Sequence, residues 1–309
     1  MGPTAIIFPG QGAQTVGMGR DWAETDAGLA LFEQANEVLG YDLATICLEG
    51  PAEELTRSNH AQPAIFLVSA AAYAGLQQAL PGWQPAALAG LSSGEWAALY
   101  AAGSVTLEDA LRVLEARGRF MQAACEQNPG GMLSVIGLSV EQLQPLAESC
   151  GIQIANLNSP EQTVLSGRLD GIERAEVEAK ALGAKRALRL NVAGAFHSRL
   201  MEPAARELAG FLEGVPLAPP RVPVVSNVKG GPFESVEEIR SLMVRQVTES
   251  VQWVESIRWM RHAGIETFVE CGPGKVLAGL VKRIDKQARI HNIQDRAALD
   301  GVVAEIATD

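Results

Sequence analysis

The sequence predicts an α/β protein in which a mostly parallel sheet is covered by helices and a smaller domain is inserted into the larger one. Short apolar segments at Thr4–Phe8, Pro85–Ala89 and Thr267–Glu270 each stop at or just before glycine or proline, and longer helical patterns lie between them. Strands that alternate with helices form parallel sheets with helices on both faces. The chain has 309 residues, which is enough for a large and a small domain.

Residues 127–194 follow a different pattern. Strands are expected at 132–137, 152–157, 162–167 and 185–190, and helices at 139–149 and 170–182. The resulting order, β-α-β-β-α-β, is that of the ferredoxin-like supersecondary unit. We therefore expect a small ferredoxin-like domain at 127–194, inserted into a large domain formed by residues 1–126 and 195–309.

Composition narrows the function classes. The formal net charge is −11 and hydrophobic residues make up 47% of the chain. Such an acidic protein is a poor general binder of nucleic acid or of an anionic membrane, so neither partner is expected. Four widely separated cysteines without a CxxC pair indicate buried or free thiols in a reducing cytoplasm. No leader or membrane-spanning run is recognised, and a monomer is expected.

The sharpest local signal is Gly90-x-Ser92-x-Gly94, between a predicted strand and a predicted helix. This pattern predicts a nucleophile elbow, in which two glycines leave room for a turn so tight that the serine is strained. The serine then projects above the sheet at a helix N-terminus, where backbone amides favour developing negative charge. The large domain is therefore expected to be α/β-hydrolase-like, and a solvated turn with a chance GxSxG match stays the alternative.

A nucleophilic serine needs a base, and the chain has four histidines. His262 lies in a helical pattern with arginines, His291 has no functional neighbour, and His60 is expected in a polar loop. His197 lies in the small-residue loop 194–198, where the inserted domain rejoins the large one, and clefts form at such junctions. His197 is the favoured base, and a loop-packing histidine is the alternative.

Five motifs occur in order along the chain: Phe8–Gln14 (FPGQGAQ), Gly90–Glu95 (GLSSGE), Arg117–Met121 (RGRFM), Gly194–Ser198 (GAFHS) and Glu270–Gly274 (ECGPG). Together they resemble the malonyl-CoA:acyl carrier protein transacylase family, which includes the acyltransferase domains of polyketide synthases. The resemblance runs from about residue 4 to residue 284. It departs from the family at Leu91, where histidine is usual, and at Ser93 and Trp96.

The resemblance implies roles for the reacting groups. Ser92 resembles the nucleophile that takes the malonyl group as an ester, and His197 its general base. The backbone amides of Gln11 and Ser93 resemble the oxyanion hole. Gln246 resembles the residue whose backbone carbonyl orients the histidine, which would explain why no aspartate completes a triad.

The resemblance also implies substrate contacts. Arg117 resembles a clamp for the free carboxylate of the malonyl group, and a guanidinium suits a carboxylate because it can donate two parallel hydrogen bonds. Without the family, a solvated helix arginine is the alternative. Phe196 resembles the position that excludes a branched methyl group, Leu91 leaves acyl selectivity open, and Asn158 is expected to contact coenzyme A or line the cleft.

The implied reaction moves a malonyl group from malonyl-CoA to the phosphopantetheine thiol of an acyl carrier protein, with no metal or bound cofactor. A serine thioesterase or hydrolase, a non-catalytic scaffold, and a polyketide acyltransferase acting in trans with a different acyl donor stay open. Because carrier proteins are usually acidic, a local basic surface is expected. The candidates are Lys185, Arg186 and Arg189 on the small domain, and Lys275, Lys282, Arg283 and Lys286 near the C-terminus.

Overall fold

The structure is a computed structural model that describes residues 2–308. Its strands are β1 (Thr4–Phe8), β2 (Ala87–Gly90), β3 (Gly130–Ile136), β4 (Gln153–Ser159), β5 (Gln162–Arg168), β6 (Arg186–Arg189), β7 (Val224–Val225), β8 (Thr267–Cys271) and β9 (Arg289–Ile293). Its α-helices are α1 (Arg20–Ala23), α2 (Asp26–Leu39), α3 (Leu43–Glu49), α4 (Ala52–Thr56), α5 (Ser58–Ala79), α6 (Gly94–Ala101), α7 (Leu107–Gln127), α8 (Val140–Cys150), α9 (Leu169–Ala181), α10 (Glu202–Glu213), α11 (Val236–Arg245), α12 (Trp253–His262), α13 (Val276–Ile284) and α14 (Arg296–Thr308). A short 3₁₀ helix covers Arg199–Met201.

The predicted parallel sheet is confirmed. It has the order β7-β2-β1-β8-β9, and each pair of neighbours is parallel. In the central strand β1, Ile6 and Phe8 join a core with α5, α6 and α7, whereas Ala5 and Ile7 join a second core with α12 and α13. Successive side chains of a strand point to opposite faces, so both faces of this sheet are covered.

A separate antiparallel sheet has the order β4-β5-β3-β6. Its elements follow one another as strand, helix, strand, strand, helix, strand between Gly130 and Arg189. Leu133, Val135 and Leu165 pack under α8 and α9 in a third hydrophobic core. A coarse α/β architecture with one parallel and one antiparallel sheet is thus present.

Several local predictions differ from the structure. Helix α5 begins at Ser58, so His60 is helical rather than in a loop, and its Nδ1 lies 2.9 Å from the Glu54 carbonyl oxygen. His291 lies in β9, which was not predicted because its sequence is largely polar, and it pairs with Glu305 at 3.1 Å. Helices α3, α4 and α14 were also missed.

The four cysteines are free and buried, which confirms the prediction made from their spacing. Within residues 2–308, no helix combines the length and apolar character that a membrane crossing requires.

Candidate active site

Ser92 lies at the turn between β2 and α6, above the carboxyl end of the parallel sheet. Its φ is 54°, in the left-handed region that side chains rarely adopt. The flanking glycines are required by space: a Cβ at Gly90 would lie 2.0 Å from the Gly94 carbonyl carbon, and one at Gly94 would lie 2.4 Å from the Phe8 oxygen. The strained strand–turn–helix predicted for this motif is therefore present.

Asn227 braces this turn. Its Oδ1 accepts a hydrogen bond of 2.6 Å from the Ser92 amide, and its Nδ2 donates one of 2.7 Å to the Gly90 carbonyl. The Asn227 side chain is completely buried. The Asn227 carboxamide thus forms hydrogen bonds to the residues before and after Leu91, and these bonds stabilise the strained serine backbone.

His197 stands next to the serine. Its Nε2 lies 2.9 Å from Ser92 Oγ, and its Nδ1 lies 2.7 Å from the Gln246 carbonyl oxygen. A carbonyl only accepts, so Nδ1 carries the hydrogen and Nε2 is free to accept the serine proton. Burial, and secondarily the Arg117 charge, lower the pKa of His197 to about 4. The imidazole is therefore a neutral base at neutral pH.

Arg117 projects from α7 into the same site and is almost completely buried. Its Nη1 donates to Gln62 Oε1 at 2.7 Å, and its Nη2 donates to Gln246 Oε1 at 2.9 Å and to Ser92 Oγ at 3.3 Å. Burial lowers its pKa to about 10, opposed by the nearby charge of Glu95, and the guanidinium stays charged at neutral pH. A fixed positive charge thus lies beside the nucleophile.

A buried polar network continues behind Arg117. Gln246 Nε2 donates to the Ser92 carbonyl at 3.0 Å and to Glu95 Oε2. Glu95 Oε1 accepts from the Asn227 amide at 3.1 Å. Burial raises the pKa of Glu95 to about 8, against the effect of these hydrogen bonds. The network joins the arginine to the elbow.

Two backbone amides are available near the serine. The Gln11 amide donates to Ser93 Oγ at 3.2 Å. The Ser93 amide, at the start of α6, has no hydrogen-bond acceptor within residues 2–308. Both amides could donate to a developing oxyanion, and the Gln11 amide would first have to release the Ser93 hydroxyl.

The site opens into a cleft of about 500 Å³ between the two sheets. Seven of the residues expected at the site line it, namely Gln11, Leu91, Ser92, Arg117, Asn158, Phe196 and His197. Ser93 and Gln246 lie behind the lining and act through hydrogen bonds. The Asn158 Oδ1 atom is buried and has no hydrogen-bond partner within the described part of the chain. The structure therefore brings all nine residues to one place.

Three groups of the network were not singled out from the sequence: the side chains of Gln62, Glu95 and Asn227. Glu95 was noted only as part of the elbow motif, and Gln62 had no predicted role at the site. Asn227 could have been found by position, because it follows β7, the neighbour of β2, and polar residues at the carboxyl ends of parallel strands meet at one edge.

A strained serine in contact with a neutral histidine, beside two backbone amides, defines a site for covalent acyl transfer through a serine ester. Comparison with known proteins agrees with that class: the chain belongs to the acyl transferase domain family, whose model matches residues 5–306.

Curated relatives in this family cover almost the whole chain. A malonyl CoA-acyl carrier protein transacylase of Escherichia coli strain K12 is 43% identical over 285 residues, covering 91% of this chain and 92% of the relative. A protein of the same description from Bacillus subtilis is 38% identical and covers 97% of this chain and 96% of the relative.

Solved structures are equally similar. A malonyl CoA-acyl carrier protein transacylase from Coxiella burnetii has a TM-score of 0.95 at 37% identity, covering 98% of this chain and 97% of that one. Another, described as a type II PKS acyl-carrier protein in complex with its malonyl-transacylase, has a TM-score of 0.94 at 38% identity, covering 98% of this chain and 99% of that one.

Proposed function

We propose that this chain is an acyl-carrier-protein S-malonyltransferase, which moves a malonyl group from malonyl-CoA to the phosphopantetheine thiol of an acyl carrier protein. The observation that carries the proposal is the buried Arg117 guanidinium, 3.3 Å from Ser92 Oγ. A fixed positive charge at that place favours an acyl group with its own carboxylate. The descriptions of the relatives support the same substrate and partner.

The reaction proceeds in two half-reactions. Ser92 Oγ forms a bond to the thioester carbonyl carbon while His197 Nε2 accepts the hydroxyl proton. The carbon–sulfur bond then breaks, the serine ester forms, and His197 returns the proton to the departing coenzyme A thiol. In the second half the carrier thiol attacks the ester by the same steps in reverse, and Ser92 regains its proton.

The other residues of the site stabilise the oxyanion and the reactive form of His197, or select the acyl group. The Gln11 and Ser93 amides donate to the oxyanion, and the Gln246 carbonyl keeps His197 in the tautomer that accepts at Nε2. Phe196 and Leu91 both line the cleft. We propose that the bulk of Phe196 favours malonyl over methylmalonyl, whereas the effect of Leu91 on acyl selectivity stays open. Asn158 lines the cleft, and we propose that its side chain contacts coenzyme A there.

We place the carrier protein on the basic surface of α13. Lys275, Lys282, Arg283 and Lys286 are exposed there, and none forms an ion pair within residues 2–308. Val276 and Leu280 of the same helix line the cleft. Of the candidates on the small domain, Lys185 and Arg189 already pair with Glu161, Glu173 and Glu176, and Arg186 is the one that is exposed without an ion pair among residues 2–308. Unpaired charge at the cleft mouth is the better match for an acidic partner.

The test of this surface is the double substitution Lys282→Glu/Arg283→Glu. We expect a higher KM for the carrier protein and an unchanged KM for malonyl-CoA, with Lys185→Glu as the matched control. An unchanged carrier KM would remove α13 from the proposal.

We also propose the finer description of the fold. Residues 127–194 form a ferredoxin-like domain, and residues 1–126 and 195–309 form an α/β-hydrolase-like domain. The strand order β4-β5-β3-β6 supports the first assignment, and the elbow after β2 supports the second. We further propose a cytoplasmic monomer without a bound cofactor, which four buried free thiols and an acidic surface support.

The proposed function is tested by intact-mass spectrometry after mixing the protein with malonyl-CoA, acetyl-CoA or methylmalonyl-CoA. We expect a malonyl mass increase that Ser92→Ala abolishes and that the exposed control Ser149→Ala keeps. Coenzyme A and free malonate accumulating without an adduct would identify a hydrolase instead. Neither adduct nor turnover with any donor would contradict the proposal.

A further inference from the structure

Glu95 takes no part in the chemistry above, yet it is buried in the centre of the site. It lies in the first turn of α6, three residues after Ser92, and only 1% of it is exposed. Its carboxyl oxygens accept hydrogen bonds from the Asn227 backbone amide and from Gln246 Nε2, and the Ser226 side chain is a further partner. Burial of a carboxyl group is costly unless the group is hydrogen-bonded or paired, and these contacts offset that cost.

The Gln246 carboxamide bridges Glu95 and Arg117. Its Nε2 faces two acceptors, Glu95 Oε2 and the Ser92 carbonyl, and its Oε1 faces a donor, Arg117 Nη2, at 2.9 Å. A rotation of the carboxamide by half a turn would set acceptor against acceptor on one side and donor against donor on the other. The orientation of this group is therefore determined by what surrounds it.

From these contacts we infer that Glu95 is a positioning residue for recognition of the acyl carboxylate. By accepting from Gln246 Nε2, it turns Gln246 Oε1 toward Arg117, and Oε1 holds the guanidinium beside Ser92. The inference rests on the proposed function, because it assigns Arg117 the carboxylate of the substrate. Gln62 anchors Nη1 of the same guanidinium, so loss of the Glu95 contact loosens one of two anchors.

This role is separable from the nucleophile and its base. His197 contacts the backbone carbonyl of Gln246, not the side chain. A reoriented carboxamide keeps the contact between Ser92 Oγ and His197 Nε2, although it gives up the hydrogen bond to the Ser92 carbonyl. The expected signature is a loss of preference for malonyl over acetyl, with malonylation of Ser92 falling further than its acetylation.

The test compares wild type with Glu95→Gln at a pH above the Glu95 pKa of about 8, where the carboxyl group is ionised, because glutamine has the same shape but only one acceptor oxygen. Each protein is mixed with malonyl-CoA and acetyl-CoA, and the rates of both serine adducts are followed by intact mass. We expect the malonyl-to-acetyl rate ratio to fall about tenfold, corresponding to one misplaced charge-assisted hydrogen bond. The acetyl rate should fall less than the malonyl rate, since Ser92 Oγ and His197 Nε2 keep their direct contact.

Glu270→Gln is the matched control. Glu270 is completely buried and accepts from the Leu277 and Ala278 amides, away from Arg117. The malonyl-to-acetyl rate ratio of Glu270→Gln should equal that of wild type. A parallel fall of both rates in Glu95→Gln, an unchanged ratio, or an equal change in the control would each overturn the role of Glu95.

If Glu95→Gln does not fold, Glu95→Asp is measured in the same experiment instead. It keeps both acceptor oxygens on a shorter side chain, and we expect a smaller fall in the malonyl-to-acetyl ratio than in Glu95→Gln. The wild-type arm keeps the two hypotheses apart. No adduct there contradicts the proposed function, whereas a wild-type malonyl adduct with an unaltered ratio in the variants contradicts only the inference about Glu95.

Discussion

The two walls of the cleft are built in different ways. On the side of the parallel sheet, Ser92, Arg117, Gln246, Glu95 and Asn227 are joined by hydrogen bonds into one buried network. On the side of the antiparallel sheet, Met132, Asn156, Asn158 and Val164 line the cleft from three strands.

This difference indicates that the polar network on one wall determines the chemistry, whereas the opposite wall determines the shape of the cleft. In the network, each polar group fixes the next, so removal of one leaves buried partners unsatisfied, and such groups cost about 1–3 kcal/mol each. The opposite wall is joined to the parallel unit by two backbone hydrogen bonds. The Leu157 amide donates to the Val251 carbonyl, and the Val251 amide donates to the Ala155 carbonyl. The side chains of the opposite wall are expected to tolerate change.

The largest effect is expected for Arg117→Ala. Loss of the hydrogen bonds to the malonyl carboxylate should lower kcat/KM for malonyl-CoA by about a thousandfold, at roughly 1.5–3 kcal/mol for each bond to a charged group. The rate with acetyl-CoA should change far less. The control is Arg119→Ala, an exposed arginine of the same helix that pairs with Glu115 and lies over the Phe120 ring. Equal losses for the two donors would show that Arg117 does not bind the carboxylate.

The next largest effect is expected for Asn227→Ala. The Gly90 carbonyl and the Ser92 amide would lose their partners, and the strained serine backbone would relax. We expect kcat to fall by about a hundredfold with a small change in KM, and the melting temperature to drop, since two buried groups are left unsatisfied. Single-turnover acylation and thermal unfolding measure these effects.

Asn292→Ala is the matched control for Asn227. Asn292 also donates to a backbone carbonyl, that of Gly274, but it lies on β9 away from Ser92. It should lose stability without losing acylation rate. If both variants lost rate to the same extent, a specific brace at the elbow would be ruled out.

A smaller effect is expected on the opposite wall. Met132→Ala removes an apolar side chain from the cleft lining without breaking a hydrogen bond of the network. The KM for malonyl-CoA should rise by about threefold and kcat should stay nearly constant, because the reacting groups are untouched. A large fall in kcat would mean that both walls contribute to the chemistry.

The smallest effect concerns pH. Because burial lowers the pKa of His197 to about 4, the imidazole is already unprotonated across the neutral range. The rate of serine acetylation by acetyl-CoA, which does not depend on recognition of a substrate carboxylate, should therefore change by less than about twofold between pH 6 and pH 8, where a histidine with the usual pKa near 6.5 would give about a fourfold rise. Only as the pH falls toward 4 should protonation remove the base. Stopped-flow acylation, with melting temperature as the control for folding, checks this.

Local sequence was sufficient for the elbow. Gly90, Ser92 and Gly94 lie within five residues of one another, and the steric need for glycine at position 90 follows from the turn itself, whereas at position 94 it comes from the Phe8 backbone in the neighbouring strand. His197 was favoured by a short search among four histidines and by its place at a domain junction. The roles of Arg117 and Gln246 came from the resemblance to the family, because nothing near them in sequence distinguishes them from other helical residues.

The sequence by itself therefore determined the alternation of strands and helices, the serine turn and the set of motifs. Only the tertiary structure decided which polar groups meet. Asn227 is 135 residues from Ser92, Gln246 is 129 residues from Arg117, and Gln246 is 151 residues from Glu95. Local patterns fix backbone conformation because they act over a few residues, whereas a buried hydrogen-bond network depends on how distant elements pack.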